Sequence, residues 1–381
     1  MLTDWYPVTP TTTKELIKAG YIVNVERSAG RIFKDKEFED VGASLVEEGS
    51  WVNVPKDHII VGLKELSSDD CKLIRTFPFV LTDLLISLPI VPLPHVHIHF
   101  GHCYKNQDNW DRYLSRFARG NGLLYDLEFL TDAAGRRVSA FGYHAGYAGM
   151  ALSLLAWSNQ VQNPGVQLPS VSNYESESDL VKHVRSSISS ARPYNADKHP
   201  RVLIIGALGR CGTGAINACL AAGIPDSHIV KWDLDETQKG GPFDEILAAD
   251  IFINCIYLSE KIPPFVTYEF LAKPGRNLRV VCDVSCDPNN VNNPLPIYTE
   301  CSTFIEPTLP VAVDGDGPPL TQISIDHLPS LLPREASEAF SKNLLPSLLT
   351  LDKRHEEGVW VRAENLYRAK LAELPKNLDV V

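Results

Sequence analysis

A glycine-rich turn after a run of aliphatic residues is the feature that most constrains the fold of this chain. Residues 202–205 read Val-Leu-Ile-Ile and lead directly into a turn that contains Gly206, Gly209 and Gly212, followed by a helix-like run over 213–222. In a nucleotide-binding strand–turn–helix unit, the first glycine permits the tight turn. The second lets backbone N–H groups approach the phosphates, and the third lets the helix pack closely on the strand. The turn therefore predicts a dinucleotide-binding unit, with a variant of the usual glycine spacing.

An acidic residue at the end of the next predicted strand indicates which dinucleotide is bound. Residues 229–233 read Ile-Val-Lys-Trp-Asp, which places Asp233 27 residues after Gly206. A carboxylate in this position can accept hydrogen bonds from both ribose hydroxyls and would repel a 2′-phosphate. We therefore predict NAD rather than NADP as the cofactor. The alternative interpretation is a glycine-rich turn without a ligand, followed by a solvated aspartate.

Composition and charge restrict the class of protein. The chain has 381 residues, enough for two domains, and its 44% hydrophobic and 22% charged residues are typical of a globular protein. The net charge of −11 argues against nucleic acid or an anionic membrane as a partner. The longest apolar stretch, 77–96, contains four prolines and Asp83, so it is a poor candidate for a membrane-spanning helix. No signal peptide is visible and no two of the eight cysteines form a CxxC pair, so we expect a cytoplasmic protein.

Predicted strands and helices alternate along the chain, which favours an α/β fold. The buried strand predicted over 58–64 ends in a charged residue, Lys64, and α/β proteins carry their sites at such strand ends. Helices are predicted over 11–19, 141–157, 180–190 and much of 326–374, and strands over 21–26, 58–64, 96–104, 122–129, 202–205, 229–233, 251–255 and 278–284.

Four long motifs, together with the glycine-rich turn, carry a resemblance to a known family. They are Ile-Val-Gly-Leu-Lys-Glu at 60–65, Phe-Gly-His-Cys-Tyr-Lys at 100–105, Gly-Arg-Arg-Val-Ser-Ala-Phe at 135–141, and Ile-Ser-Ile-Asp-His-Leu-Pro-Ser-Leu-Leu-Pro-Arg-Glu-Ala at 323–336. With them the chain closely resembles the fungal, NAD-dependent, lysine-forming saccharopine dehydrogenases of the alanine dehydrogenase and transhydrogenase superfamily.

The resemblance implies an architecture and an activity. It implies two Rossmann-like, doubly wound α/β domains with the active site in the cleft between them. The substrate domain would be split, 1–148 plus 322–381, and the NAD-binding domain would cover 149–321. The implied reaction is the oxidative cleavage of L-saccharopine by NAD to L-lysine and 2-oxoglutarate, the last step of lysine biosynthesis by the aminoadipate pathway. A cytoplasmic monomer without a metal is expected.

The resemblance also implies roles for individual residues. Lys64 would be the base that deprotonates the substrate amine, and His102 would be the acid–base group for hydrolysis of the imine. Cys211 and Cys255 would be a pair beside the cofactor that can join under oxidation. The implied cofactor contacts are Arg136, Gly206, Gly209, Arg210, Gly212, Asp233, Thr237, Tyr257, Val284, Ile325, Asp326, His327 and Leu328. The implied substrate contacts are Lys64, Gln107, Arg137, Phe141, Ser285, Cys286 and Asp287.

The chain departs from the family at two places. The family's first strand, with an arginine that binds a substrate carboxylate, is largely absent, and Trp5 falls where that arginine would be. Between Lys64 and His102 there are 37 residues, more than relatives have, and the additional material around 77–95 is apolar and rich in proline. We hypothesise that a missed exon and a retained intron explain both departures. The alternative is a natural variant that binds NAD and has impaired catalysis.

Two other interpretations remain. His95, His97, His99 and His102 form a series along a predicted strand, and alternate histidines on a strand share one face, where they could act as metal ligands. No carboxylate or cysteine motif completes such a set, so we predict no metal site and place these histidines beside the active site. A superfamily member acting on a simpler amino acid, such as an alanine dehydrogenase, is disfavoured by the Arg136–Arg137 pair and by the His-Cys-Tyr-Lys motif.

Overall fold

The computed structural model describes residues 6–66, 91–258, 260–286, 288, 290–356 and 358–375. These residues form two compact units, one of 141–336 and the other of 6–140 with 337–375. We call them the nucleotide unit and the histidine unit. The predicted domain boundaries lay at 148/149 and 321/322, and that domain assignment stays a prediction. Most of the 77–95 insertion, together with Trp5 and Asp287, lies outside the described residues.

Short parallel strands and helices make up the first part of the histidine unit. Helix α1 begins after Thr9, whose Oγ1 accepts the N–H of Thr12, and Pro10 occupies the first helical position, where no N–H is needed. The elements are α1 (Pro10–Lys18), β1 (Asn24–Glu26), α2 (Asp35–Glu39), β2 (Ser44–Val46), β3 (Ile59–Val61), β4 (Val96–His99), α3 (Trp110–Gly120) and β5 (Leu123–Asp126).

These strands form two small parallel sheets. β1 pairs with β2, and β3, β4 and β5 form a three-stranded sheet in that order. All four strands predicted in this unit are shorter than expected. Among them, β3 ends at Val61, three residues before Lys64, and β4 ends at His99. Beyond β4 the backbone turns, and His102 has a φ of 47°. Lys64 and His102 therefore lie in the segments that follow the strands and not within them.

The nucleotide unit is built on one six-stranded sheet of order β10-β11-β9-β8-β6-β7, parallel except for β10. Its helices are α4 (Gly142–Gln162), α5 (Glu177–Ala191), α6 (Arg210–Ala222), α7 (Leu234–Thr237), α8 (Asp244–Ala248) and α9 (Tyr268–Leu271). Its strands are β6 (Val202–Ile205), β7 (Ile229–Trp232), β8 (Ile251–Asn254), β9 (Val280–Asp283), β10 (Leu309–Val311) and β11 (Leu320–Ile323). β6, β8, β9 and β11 are wholly buried, as expected for central strands of a sheet covered on both faces.

Small residues let α4 approach α6 backbone to backbone. A Cβ added at Gly146 would lie 1.9 Å from the Cys211 carbonyl oxygen, and one added at Gly214 would lie 1.9 Å from the carbonyl oxygen of Tyr143. This contact explains the glycine- and alanine-rich sequence that predicted a long helix over 141–157, and that helix is confirmed. The α/β fold class is confirmed as well.

The last part of the chain packs on the histidine unit. Helix α10 (Pro333–Leu348) is followed by α11 (Gly358–Ala372). Trp360 of α11 is fully buried, and its ring centroid lies 4.9 Å from that of Tyr125 in β5. Within the described ranges, no helix is long and apolar enough to cross a membrane.

Candidate functional site

The carboxyl ends of β3 and β4 bring a carboxylate and an imidazole together. Parallel strands of one sheet end at the same edge, so the segments after Val61 and His99 meet there. Glu65 Oε2 lies 2.8 Å from His102 Nδ1, and both side chains are about half exposed. This hydrogen bond raises the pKa of His102 and lowers the pKa of Glu65. Both shifts favour a charged pair of carboxylate and imidazolium.

Asp126, the last residue of β5, forms hydrogen bonds with the backbone at the same edge of the three-stranded sheet. It is 1% exposed, and its carboxylate accepts the N–H of Gly101 at 3.1 Å and the N–H of Glu128 at 2.9 Å. Burial raises the pKa of Asp126 to about 6. Asp126 thus fixes the backbone immediately before His102, in the turn where His102 adopts its positive φ.

Glu128 gathers two cations beside this turn. Lys105 Nζ and Arg137 Nη2 each lie 2.7 Å from Glu128 Oε1. Burial of Glu128 opposes ionisation, but the hydrogen bond from Lys105 and the charge of Arg137 outweigh it, and the pKa of Glu128 is lowered. Gln107, a predicted substrate contact, accepts the N–H of Lys105 at 2.9 Å. The predicted substrate residues Arg137 and Gln107 are therefore brought together around the 102–107 segment.

A pocket of about 530 Å³ opens beside the Glu65–His102 pair. It is lined by Glu65, His102, Gln107, Trp110 and Tyr113, among others. Lys64 is exposed and is not among the lining residues that the structure describes. Arg136, a predicted cofactor contact, lies on an exposed turn, where its guanidinium pairs with Asp132 at 3.0 Å.

The glycine-rich turn of the nucleotide unit has the tight turn at Gly206 and the close helix packing at Gly212 that the sequence predicts. Gly206 has a φ of 87°, and a Cβ on it would lie 2.5 Å from the Ile256 side chain. A Cβ on Gly212 would lie 2.2 Å from the Gly206 carbonyl oxygen. Helix α6 starts at Arg210, and its N-cap, Gly209, has no side chain that could cap the N–H groups of the first turn. These N–H groups are suited to a phosphate.

Asp233 directly follows β7, as predicted. Its Oδ2 accepts the N–H of Leu208, in the glycine-rich turn, at 3.0 Å, and its Oδ1 accepts the N–H of Leu234. The Asp233 carboxylate therefore stabilises the glycine-rich turn, and it also lies at the strand end where the ribose of the cofactor is expected. Thr237 donates its hydroxyl to the Asp233 carbonyl at 2.8 Å.

The remaining predicted cofactor contacts follow parallel strands of the same sheet. Val284 comes directly after β9 and donates its N–H to Asn254 at the end of β8. The 325–328 segment follows β11, with Ile325 and Leu328 buried and Asp326 exposed. Tyr257 follows β8 and is 63% exposed. These residues therefore lie at the same edge of the sheet as Gly206.

The substrate residues predicted in the nucleotide unit lie after β9 and before α4. Ser285 hydrogen-bonds the Ile256 carbonyl through its hydroxyl, and its N–H donates to Asp283 Oδ1 at 3.1 Å. Cys286 has a φ of 46°. Phe141 occupies the N-cap position of α4.

The two cysteines predicted beside the cofactor also lie in the nucleotide unit. The thiol of Cys255 hydrogen-bonds with Cys211, which raises the pKa of Cys255. Their pairing under oxidation stays a prediction.

The histidines of β4 form part of a buried aromatic cluster. Burial lowers the pKa of His97 to about 2 and that of His99 to about 3, so both are uncharged at neutral pH. The His97 ring stands edge-on to Trp51 at 5.3 Å and to Phe117 at 5.4 Å. Over the described ranges, no group of three or more potential ligands could hold a metal ion. The absence of a metal cofactor stays a prediction.

Three acidic residues of the histidine unit were missed in the sequence. Glu65 follows Lys64 directly, and Asp126 and Glu128 stand at the end of the predicted strand over 122–129. Acidic residues at that end of a parallel strand are a signal that could have found them. In the nucleotide unit, buried Asp283 was missed in the same way. It accepts the Tyr298 hydroxyl at 2.6 Å and an Asn254 N–H at 2.9 Å.

Comparison with known proteins relates this geometry to a family. The family model described as "Alanine dehydrogenase/PNT, N-terminal domain" matches residues 6–148. An L-alanine dehydrogenase structure superposes with a TM-score of 0.60 at 15% identity, covering 97% of this chain and 96% of that one. A transhydrogenase structure from Sinorhizobium meliloti gives 0.54 at 17% identity, covering 91% and 89%. Both support the α/β dehydrogenase fold.

Full-length relatives are much more similar in sequence. The saccharopine dehydrogenase [NAD(+), L-lysine-forming] of Neurospora crassa is 55% identical over 370 residues, covering 97% of this chain and 94% of the relative. The enzyme of the same name from Schizosaccharomyces pombe is 53% identical, covering 96% and 95%. The chain therefore belongs to the family of the NAD-dependent, L-lysine-forming saccharopine dehydrogenases.

Proposed function

We propose that this protein oxidises L-saccharopine with NAD and releases L-lysine and 2-oxoglutarate. The observation that carries the proposal is the 55% identity with a saccharopine dehydrogenase over 97% of the chain. The charged Glu65–His102 pair and the glycine-rich turn supply the acid–base group and the dinucleotide site that such a reaction requires. The enzyme is accordingly an oxidoreductase of CH–NH groups.

The reaction requires two kinds of proton transfer. A secondary amine with a pKa near 10 is protonated at neutral pH, so a base must remove its proton before a hydride can leave. NAD, when bound, accepts that hydride. Water must then add to the resulting imine, and the lysine amine must be protonated as it leaves. We assign the first transfer to Lys64 and the later ones to His102.

The surroundings of His102 support its role. Glu65 contacts Nδ1, so Nε2 is the nitrogen left to face a substrate. The carboxylate stabilises the imidazolium, which His102 must form each time that it accepts a proton. Glu65 therefore acts as the residue that orients His102 and keeps it basic.

Cations are needed for the three carboxylates of saccharopine. Glu128 holds Lys105 and Arg137 at one point. A guanidinium carries five N–H donors, so its bond to Glu128 is compatible with a second, bidentate bond to a substrate carboxylate. We propose that Arg137 and Gln107 bind the substrate, together with Phe141, Ser285, Cys286 and Asp287.

The nucleotide unit supports NAD as the cofactor. Its glycine-rich turn leads into the amino terminus of α6, and Asp233 accepts a hydrogen bond from this turn. We propose that the pyrophosphate lies over Gly206, Gly209 and Gly212 and that Asp233 binds the adenosine ribose. The other proposed contacts are Arg136, Arg210, Thr237, Tyr257, Val284, Ile325, Asp326, His327 and Leu328.

The test is turnover by the purified chain. NADH formation should depend on saccharopine, and chromatography should detect one lysine for each NADH formed. Alanine in place of saccharopine, and NADP in place of NAD, are the controls. Turnover of alanine alone would make the protein an alanine dehydrogenase. NAD binding without any turnover would make it a non-catalytic variant.

The cellular setting is a further part of the proposal. We propose a cytoplasmic monomer that acts on small molecules. The cytoplasmic part rests on the biosynthetic role of the fungal relatives. Light scattering of the purified protein and microscopy of a tagged chain test the two statements separately.

A further inference from the structure

Two cysteine sulfurs meet in the nucleotide unit outside the pair predicted from the sequence. Cys286 Sγ lies 3.4 Å from Cys301 Sγ, and the residues are 15 positions apart in the chain. Both are free thiols, Cys286 buried and Cys301 exposed. One sulfur is thus open to a soluble oxidant, and the other is close enough to react with it next.

The surrounding hydrogen bonds hold the two sulfurs in this arrangement. The Cys286 thiol donates to the Ser324 carbonyl at 2.9 Å. Ser302, next to Cys301, forms two hydrogen bonds with Ser324. The N–H of Ser302 donates to the Ser324 hydroxyl at 3.2 Å, and the N–H of Ser324 donates to the Ser302 hydroxyl at 2.9 Å. Ser324 therefore anchors both cysteine segments.

We propose that Cys286 and Cys301 form an oxidation site at which a hydroperoxide produces an intramolecular disulfide. The exposed Cys301 thiolate attacks the peroxide, becoming a sulfenic acid and releasing water or an alcohol. Cys286 then attacks the Cys301 sulfur, the S–S bond forms, and the sulfenic hydroxyl leaves as water with the Cys286 proton. Two thiols and one hydroperoxide thus give one disulfide and two reduced oxygen products, which balances the electrons.

The disulfide would change the geometry at Ser324. The sulfurs must close from 3.4 Å to about 2.05 Å, and the hydrogen bond from Cys286 to the Ser324 carbonyl is lost. The 325–328 segment and Val284 are proposed to contact the cofactor. Ser324 directly precedes that segment, and Cys286 is two residues after Val284. We therefore expect oxidation to weaken NAD binding about two- to tenfold, an effect of the size of one hydrogen bond. This consequence rests on the proposed function, whereas the disulfide itself does not.

Mass spectrometry tests the disulfide directly. The purified protein is treated with hydrogen peroxide, its remaining thiols are alkylated, and it is cut with trypsin and an endoproteinase specific for glutamate. Cleavage after Arg279, Glu300 and Arg334 puts the cysteines on separate peptides, 280–300 and 301–334, because the bond after Glu306 precedes a proline and is not cut. We expect these peptides to be joined until a reductant is added, with fragment ions assigning the bond to Cys286 and not to Cys282. Over-oxidised Cys301, or Cys301 bound to any other thiol, without a bond to Cys286 would overturn the proposal.

A calorimetric NAD titration tests the consequence. The background variant Cys255→Ser removes the other predicted cysteine pair, and each protein is compared before and after peroxide treatment. In this background we expect a two- to tenfold loss of affinity that a reductant reverses. The matched control adds Cys301→Ser, an exposed residue outside the proposed binding contacts, and should keep its affinity after peroxide. An unchanged affinity despite a formed disulfide would overturn the regulatory part. A reduced protein that forms the disulfide but never turns over saccharopine would refute only the proposed function.

Discussion

Glu65 Oε2 lies 2.8 Å from His102 Nδ1, although 37 positions separate the two residues in the chain. The bond raises the pKa of His102, so its imidazolium is favoured in the folded protein. The stabilisation is present below the pKa of His102 in the unfolded chain and is lost as the pH rises through its folded value. The hydrogen bond with Glu65 thus sets the proton affinity of His102, the proposed acid–base group.

Replacing Glu65 should therefore lower the pKa of His102. In Glu65→Gln the carboxylate charge is gone, and NMR titration of the His102 ring should show its midpoint at lower pH than in the wild type. Glu15→Gln, which removes an exposed ion pair with Lys18, is the control and should leave the His102 titration unchanged. An unshifted midpoint in Glu65→Gln would show that the pair is not formed in solution.

Loss of either proposed acid–base group should reduce turnover but not cofactor binding. We expect Lys64→Met and His102→Gln each to slow saccharopine oxidation by about 10²–10⁴-fold, the usual contribution of one positioned group. The double variant should lose less than the product of the two if the residues act as one unit. Calorimetry should find NAD affinity nearly unchanged in all three, because the glycine-rich turn belongs to the other compact unit. Near-normal turnover in a single variant would contradict that residue's role, and Lys105 would be tested next.

Replacing Asp126 should destabilise the protein in a pH-dependent way. In Asp126→Asn one oxygen is replaced by an NH₂ group that faces a backbone N–H, which costs about 1–3 kcal/mol. The pKa of Asp126 is raised to about 6 in the folded protein, so between about pH 4 and 6 its carboxyl group is protonated in the folded state and ionised in the unfolded chain. The stability that this proton contributes decreases as the pH rises through that range. The variant should therefore lose more free energy of unfolding at pH 5 than at pH 7. Urea unfolding at both pH values measures this, and an equal loss at the two would refute the shifted pKa.

Asp233 should determine the choice of dinucleotide. Asp233→Ser loses charge-assisted hydrogen bonds to the ribose, and NAD binding should weaken by about 1–3 kcal/mol. Calorimetric titration with NAD and with NADP measures the preference, which should shift towards NADP. Asp226→Ser, at the opposite end of β7, is the control and should bind NAD as the wild type does. Unchanged NAD affinity in Asp233→Ser would leave Asp233 with its structural role at Leu208 alone.

Local features of the nucleotide unit were predicted well from the sequence. The strand, the glycine-rich turn and the helix lie within 202–222, and their geometry depends on the absence of side chains at Gly206 and Gly212. The same holds for the long helix after Phe141, because its small residues are needed wherever two helices touch closely. Strand ends were predicted less well. The sequence at 96–104 does not reveal where strand pairing stops, and β4 ends at His99 since the chain then turns through His102.

The sequence by itself determined the α/β class, the dinucleotide turn and the family, because these depend on short runs of residues and on extended motifs. Only the tertiary structure decided which charges meet. The bond of Glu65 to His102, that of Asp126 to Gly101, and the Cys286–Cys301 contact each join segments that are distant along the chain or separated by a loop. Such contacts depend on strand order and on where each strand ends. Both are set by packing over the whole sheet rather than by any local pattern.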